Sequence, residues 1–159
     1  MHQQNHLLRA FCWLMLIASL CILTKFILFK EGMRSFERPG ISRHHHRHFQ
    51  EKNLQLFATI RRISHSDMSS DYKYRNIGGN VLGFIPVGMF LPVLVFHRGR
   101  AWKTVLAVFL LSLGFESVQL YTGSGVFDVD DIFLNTVGGI CGYMLQWLLP
   151  RRGLEVKPA

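Results

Sequence analysis

Apolar residues in this chain gather in four blocks separated by polar, mostly basic stretches. The blocks run from about Ala10 to Phe29, Ile77 to Phe96, Thr104 to Tyr121 and Ile132 to Leu149. Each is close to the roughly 20 residues that a helix needs to cross a bilayer. The pattern predicts four transmembrane helices: an all-α, integral membrane four-helix bundle with a long basic loop between spans one and two. Lys25, the charge inside the first block, has a stem long enough to carry its ammonium to the interface. Span two holds Gly78, Gly79, Asn80, Gly83, Pro86, Gly88 and Pro92, a set that would cripple a soluble helix but that neighbouring helices make tolerable in a bilayer. Gly79 with Gly83, and Gly138 with Gly142, are small-xxx-small pairs of the kind that lets two backbones approach. The connection from His97 to Lys103 is short, so spans two and three should be antiparallel neighbours.

The first block is too long for a signal-peptide core. Ile17 to Cys21 resembles a lipoprotein cleavage site, but Leu20 stands where a small residue is needed, so an uncleaved anchor is expected.

Composition changes this picture little. With 159 residues and 49% hydrophobic content, the chain has the size of one domain, and the distribution of apolar residues decides its class. The formal net charge of +8 comes from Lys and Arg that flank apolar blocks, which makes a bilayer with anionic headgroups the expected partner. No nucleic-acid motif accompanies the charge, and nucleic acid is set aside. Cys12, Cys21 and Cys141 all lie within apolar blocks, where they behave as small hydrophobes and not as a disulfide framework.

Inside the 30–76 loop, the patch His44-His45-His46-Arg47-His48 lacks the defined ligand spacing of a structural metal site and reads as solvated loop. Asn53 to Ile60, followed by Arg61 and Arg62, has the apolar and basic character of a short interfacial helix. Short loops adjoining spans weigh most in the positive-inside rule. The loop at 122–131 has no Lys or Arg, whereas Arg98, Arg100, Lys103, Arg151 and Arg152 border the opposite end. The 30–76 loop, with ten Lys or Arg of its own, points to the opposite orientation; weighting the short loops places both termini inside and the polar end outside.

That polar end carries the candidate chemistry. Asp128, Asp130 and Asp131 run directly into the fourth apolar block. Read as one continuous helix, Asp128, Asp131 and Asn135 fall at i, i+3 and i+7 on a common face, and Asp130 points elsewhere. One Asp is explained by helix capping and by the helix dipole. Span three adds Ser112, Glu116 and Gln119 on one face, and a carboxylate at mid-span costs roughly 2.5–3.5 kcal/mol on insertion scales, which calls for a partner or a use. Antiparallel order brings Asn80, Glu116, Gln119, Asp128, Asp131 and Asn135 to the same end of the bundle. These six form the candidate binding cluster; no catalytic residue is assigned, and no metal or cofactor is expected.

Three stretches, in order, carry a resemblance: Asn80-Val81-Leu82-Gly83-Phe84-Ile85-Pro86-Val87-Gly88, then Phe115-Glu116-Ser117-Val118-Gln119, then Asp128-Val129-Asp130-Asp131-Ile132-Phe133-Leu134-Asn135-Thr136-Val137-Gly138-Gly139. They look like the successive motifs of the VanZ-like family, and Asn53-Leu54-Gln55-Leu56-Phe57 is similar to its Asn-Leu-x-Pro-Phe element, with Leu56 in place of Pro. The resemblance divides the chain into a first span with the His-rich loop (1–49), a VanZ-like domain (50–149) and a basic tail (150–159). It implies a small four-span protein of the bacterial cytoplasmic membrane, with the six residues above as signature positions and a founding member associated with teicoplanin resistance. Gly125 stands where many members carry Arg, and Arg75, on the same side, is the candidate replacement.

Three functions follow. The favoured one is a cell-envelope protein that lowers sensitivity to glycopeptides by binding a surface component, such as a lipid-linked wall precursor. The second is a membrane-embedded enzyme with Glu116, Asp128 and Asp131 as acid/base groups or Mg²⁺ ligands, since clustered carboxylates raise one another's pKa. The third is structural, with the polar groups as interhelical glue.

Overall fold

The computed structural model describes residues 2–28, 52–65, 77–96, 100–124 and 126–149. The His-rich patch, Arg75, His97, Arg98, Gly125 and the basic tail lie outside them. The described chain is mostly helical, in the order α1 (His2–Leu28), β1 (Lys52–Asn53), α2 (Ala58–His65), α3 (Gly79–Leu94), α4 (Ala101–Thr122), β2 (Phe127–Asp128) and α5 (Val129–Leu145). A 3₁₀ turn over Gln146–Leu148 closes α5.

The long helix α1 buries Cys12, Leu16 and Leu23 along one side and leaves Leu7, Phe11, Leu14, Ile17, Ile22 and Phe26 exposed. Its hydroxyls do not disturb it, because Ser19 and Thr24 donate back to the carbonyls of Leu16 and Leu20. Among the described residues, two stretches are long and apolar enough to cross a membrane: His6–Phe26, with mean hydropathy 2.1, and Ala101–Thr122, with 1.6. Helix α3 is shorter, spanning about 24 Å at 1.5 Å per residue. It carries Pro86 and Pro92 within its length.

Helix α4 is patterned inside out. Its buried stripe is Thr104, Val108, Ser112, Glu116 and Gln119, whereas Trp102, Leu106, Phe109, Leu110, Val118 and Tyr121 face outward. In water the hydrophobic stripe would turn to the core. Helix α5 repeats the inversion, burying Asp130, Asp131 and Asn135 while exposing Phe133, Ile140 and Met144. Gly123, in the left-handed conformation with φ 66°, ends α4, its N–H donating to the Gln119 carbonyl; glycine reaches that conformation without a Cβ penalty.

Close backbone approaches fix the helix order. A Cβ on Gly138 would meet the Val81 carbonyl oxygen at 2.1 Å, and one on Gly142 the Ile85 oxygen at 2.0 Å. The paired positions rise together, so α3 and α5 run parallel. On the other side, Gly139 packs against Val108 and Asn135 donates to Ser112, which makes α4 and α5 antiparallel. Gly83 meets Leu23 of α1, but Gly79 has nothing within 4 Å. The expected Gly79/Gly83 pair is therefore not a joint contact: Gly83 alone sits at an interface.

Two expectations about local structure are corrected. First, the described chain is not purely helical, since Lys52–Asn53 pairs in parallel with Phe127–Asp128 in a two-residue ladder. Second, α5 begins at Val129 with Asp128 as its N-cap, in extended conformation at φ −127° and ψ 117°. Asp128 thus lies before the helix, and the i, i+3, i+7 phase linking it to Asp131 and Asn135 does not apply to it.

Candidate functional site

The ladder brings residues 52–65 across the mouth of α5, where the acids stand. Helix α2 begins at Ala58, five residues later than the expected interfacial helix, because residues 54–57 form a turn over the head of α5. Phe57 occupies the left-handed region with φ 66°, a conformation that costs about 1–3 kcal/mol in a non-glycine residue unless its surroundings enforce it. They do. Its N–H donates to Asp130 Oδ1, its carbonyl accepts from Arg61 N–H at 2.9 Å, and its ring stands edge-on to Phe133 at 5.4 Å between centroids.

Asp130 is the anchor of this strap. Wholly buried at 0% exposure, its carboxylate accepts from the N–H groups of Phe57, Thr59 (2.7 Å) and Ile60 (3.1 Å). Thr59 and Ile60 lie in the first turn of α2, where backbone donors have no partner within the helix, and a negative charge suits the positive end of the helix. Helical phase correctly turns Asp130 away from Asp131, but it turns it toward a second element, not toward solvent. Sequence reasoning passed over it, and no signal short of the strap's position would have placed it.

Asp128 sits beside it as both cap and clamp. One oxygen accepts from Asp130 N–H at 2.9 Å and from Asn53 Nδ2 at 3.0 Å, and the other from Thr59 Oγ1 at 2.6 Å. Asn53 Nδ2 also reaches Thr59 Oγ1 at 2.8 Å. Burial pushes the Asp128 carboxyl above the usual carboxylate range; the Thr59 hydroxyl and the Asp130 N–H oppose that rise, and the charges of Asp131 and Asp130 reinforce it. A raised folded-state value means that the folded chain holds this proton more tightly. The stability it contributes is fully present below the ordinary value of 3.8 and is lost as pH rises through the folded value. Acidification from neutral pH should therefore stabilise the wild-type chain more than Asp128→Asn, and thermal midpoints against pH in detergent would show the wild-type curve rising relative to the variant's as pH falls. Parallel curves would remove Asp128 as the responsible group.

The other cluster members line the interior. Glu116, at 2% exposure, accepts from the Asp128 N–H at 2.9 Å, so the carboxylate of α4 holds the backbone that starts α5. Asn80, in the first turn of α3, donates to Asp131 Oδ1 at 2.5 Å. One helical turn deeper, Asn135 donates to Ser112 Oγ at 2.8 Å, while its buried Oδ1 has no hydrogen-bond partner among the described residues. Gln119 is buried on the Glu116 stripe, a turn nearer the mouth. The six sequence-predicted residues thus share one end of the bundle, in three linked pairs of elements: strap with α5, α4 with α5, and α3 with α5. Asn53, Thr59 and Ser112 join them. Among the described residues, no group of three or more His, Cys, Asp or Glu side chains is placed to hold a metal ion.

Protein VanZ of Enterococcus faecium is 39% identical over 75 residues, a match that covers 47% of this chain and 46% of that protein. The chain therefore matches less than half the length of this relative. No solved structure is significantly similar. The profile of the VanZ/LLP1 family matches residues 14–150, which include the later part of α1, all of α4, the strap and every residue of the polar cluster, and the chain belongs to that family.

Proposed function

We propose that the chain is a multi-pass protein of the bacterial cytoplasmic membrane, with α1, α3, α4 and α5 as its four spans. It lowers sensitivity to glycopeptides of the teicoplanin type by binding a surface component at its polar end. The inverted patterning of α4 and α5 supports the membrane part: apolar side chains outward and carboxylates inward is the arrangement that lipid favours and water does not. Anionic headgroups are the partners of the flanking basic residues.

The observation that carries the binding role is the buried amide of Asn135. Its carbonyl oxygen lies in the bundle with no donor among the described residues, beneath Asp131 and next to the Ser112–Glu116 stripe. A buried acceptor left unsatisfied costs about 1–3 kcal/mol, and a ligand bringing an amide or hydroxyl donor would relieve it. A lipid-linked wall precursor offers both groups. In this division of labour Asp128 and Asp130 hold the strap, whereas Glu116, Asp131 and Asn135 face the ligand.

The test is teicoplanin tolerance of a sensitive host carrying the wild-type chain, Glu116→Gln, Asp131→Asn or empty vector, with membrane abundance measured alongside. Wild type should raise the tolerated concentration, and each variant should return it to the vector level at unchanged abundance. Equal tolerance in all four strains would overturn the proposal.

A further inference from the structure

The strap has a second side. Its inward face is consumed by Asp128 and Asp130, but its outer face borders an open groove of about 610 Å³, lined by Gln55, Leu56, Phe57, Ala58, Arg61 and His65. That volume falls within the usual range for small-ligand sites. Two features set its chemistry. Arg61 and His65 lie at i and i+4, one above the other on α2, and among the described residues the lining contains no carboxylate. Around them Leu54, Leu56 and Phe57 are exposed at 67%, 50% and 49%, large apolar groups on a segment too short to be a membrane span.

Among the described residues, the acids nearest the strap are turned away from this groove. Asp130 is wholly buried under the strap and Asp128 nearly so, their oxygens held by Phe57, Thr59, Ile60 and Asn53. Clamping the strap therefore presents its basic face outward. The same clamp holds Phe57 in its left-handed conformation, with the ring against Phe133, so the apolar rim is fixed in place before any ligand arrives.

We propose that this groove binds the phosphate of an anionic bilayer phospholipid, with the Arg61 guanidinium as the principal contact, His65 and Gln55 beside it, and Leu56 and Phe57 against the start of the acyl chains. A guanidinium presents paired donors to phosphate oxygens, and an apolar rim next to a cation matches the boundary between headgroup and hydrocarbon. This site rests on the membrane reading above but is separate from the interior cluster around Asn135.

Binding would be read by ³¹P NMR on the full chain in neutral maltoside micelles, titrated with short-chain phosphatidylglycerol, short-chain phosphatidylcholine and inorganic phosphate. Phosphatidylglycerol should broaden saturably with the wild-type chain. Arg61→Gln should weaken it about tenfold, the loss expected for one charge-assisted contact, while Arg61→Lys, which keeps the charge but not the paired donors, should fall between the two. Leu56→Ser should weaken phosphatidylglycerol and leave inorganic phosphate unchanged. Three results would overturn the proposal: Arg61→Gln binding as wild type, phosphatidylcholine binding as tightly as phosphatidylglycerol, or inorganic phosphate matching the lipid, which would make this a free-anion site. Arg61 is exposed, so its variants test the contact and not the fold. Because lipid binding is measured on purified protein, its failure is distinguishable from a failure of Glu116→Gln to change teicoplanin tolerance.

Discussion

Replacing Asp130 by Asn is expected to release the 52–65 strap while leaving the helices in place. The substitution keeps the shape of the side chain but turns one acceptor oxygen into a donor and removes the charge. Whichever way the amide is turned, at least one of the Phe57, Thr59 and Ile60 N–H groups then faces an NH₂. A hydrogen bond to a charged group contributes about 1.5–3 kcal/mol, and a buried donor left without an acceptor costs a comparable amount. The left-handed Phe57 adds its own strain once its N–H is no longer held. Together these terms favour local opening by about 3–4 kcal/mol, equivalent to roughly 10²–10³-fold faster amide exchange at Phe57, Thr59 and Ile60. Hydrogen exchange on the full chain in detergent would measure it, with amides in α4 as an internal reference. Unchanged exchange at those three residues would show that the strap is held by something other than Asp130.

This expectation divides the acids in a way that their sequence spacing does not. Asp128, Asp130 and Asp131 are nearly consecutive, yet each meets a different element: Asp128 caps α5 and ties Asn53 and Thr59, Asp130 holds the start of α2, and Asp131 pairs with Asn80 of α3. A helix N-terminus makes this possible. The three side chains leave the backbone in three directions within one turn, and the helix dipole favours negative charge at all of them. The carboxylates therefore serve three different elements, even though Asp130 and Asp131 still help to raise the Asp128 carboxyl.

Much of this was legible beforehand, for identifiable reasons. The helices were visible because long apolar runs interrupted by few charges leave little alternative, and the i, i+4, i+7 spacing of Ser112, Glu116 and Gln119 put them on one buried stripe. Asn80, Asp131 and Asn135 came to the same end because helix order alone dictates it. The strap was not legible. A two-residue parallel ladder between Lys52 and Phe127, residues 75 apart in sequence, leaves no periodic signal, and the 52–60 segment reads equally well as a free interfacial helix. Missing the strap meant missing Asp130, whose partners all lie within it. The phase assigned to Asp128 failed for a related reason, since the first helical residue is set by the capping geometry at 128 and not by where hydrophobicity begins at Ile132.

The glycines give a graded test of the helix packing, and with it of the platform on which the polar end stands. An Ala at Gly142 would bring its Cβ to 2.0 Å from the Ile85 carbonyl oxygen and 2.8 Å from the Met89 nitrogen; at Gly138 the Val81 oxygen lies at 2.1 Å. Both neighbours are helix backbone, which cannot swing aside, so α3 and α5 must separate and give up contacts along their shared length. Overpacking of this kind costs about 3 kcal/mol or more, and Gly142→Ala and Gly138→Ala should accumulate poorly and unfold at markedly lower temperature in detergent. Gly83→Ala meets only the end of the Leu23 side chain at 2.7 Å, which can rotate, and should be mildly affected. Gly79→Ala meets nothing within 4 Å and should be neutral or gain about 0.5 kcal/mol from the better helix former. Since Asn80 follows Gly79 directly and donates to Asp131, separation of α3 from α5 should also break that pair, so the two severe variants should lose the polar end's function even where some protein accumulates. Equal effects across the four glycines would mean that α3 and α5 do not approach as closely as their backbones are placed here, and the Asn80–Asp131 contact would fall with that approach.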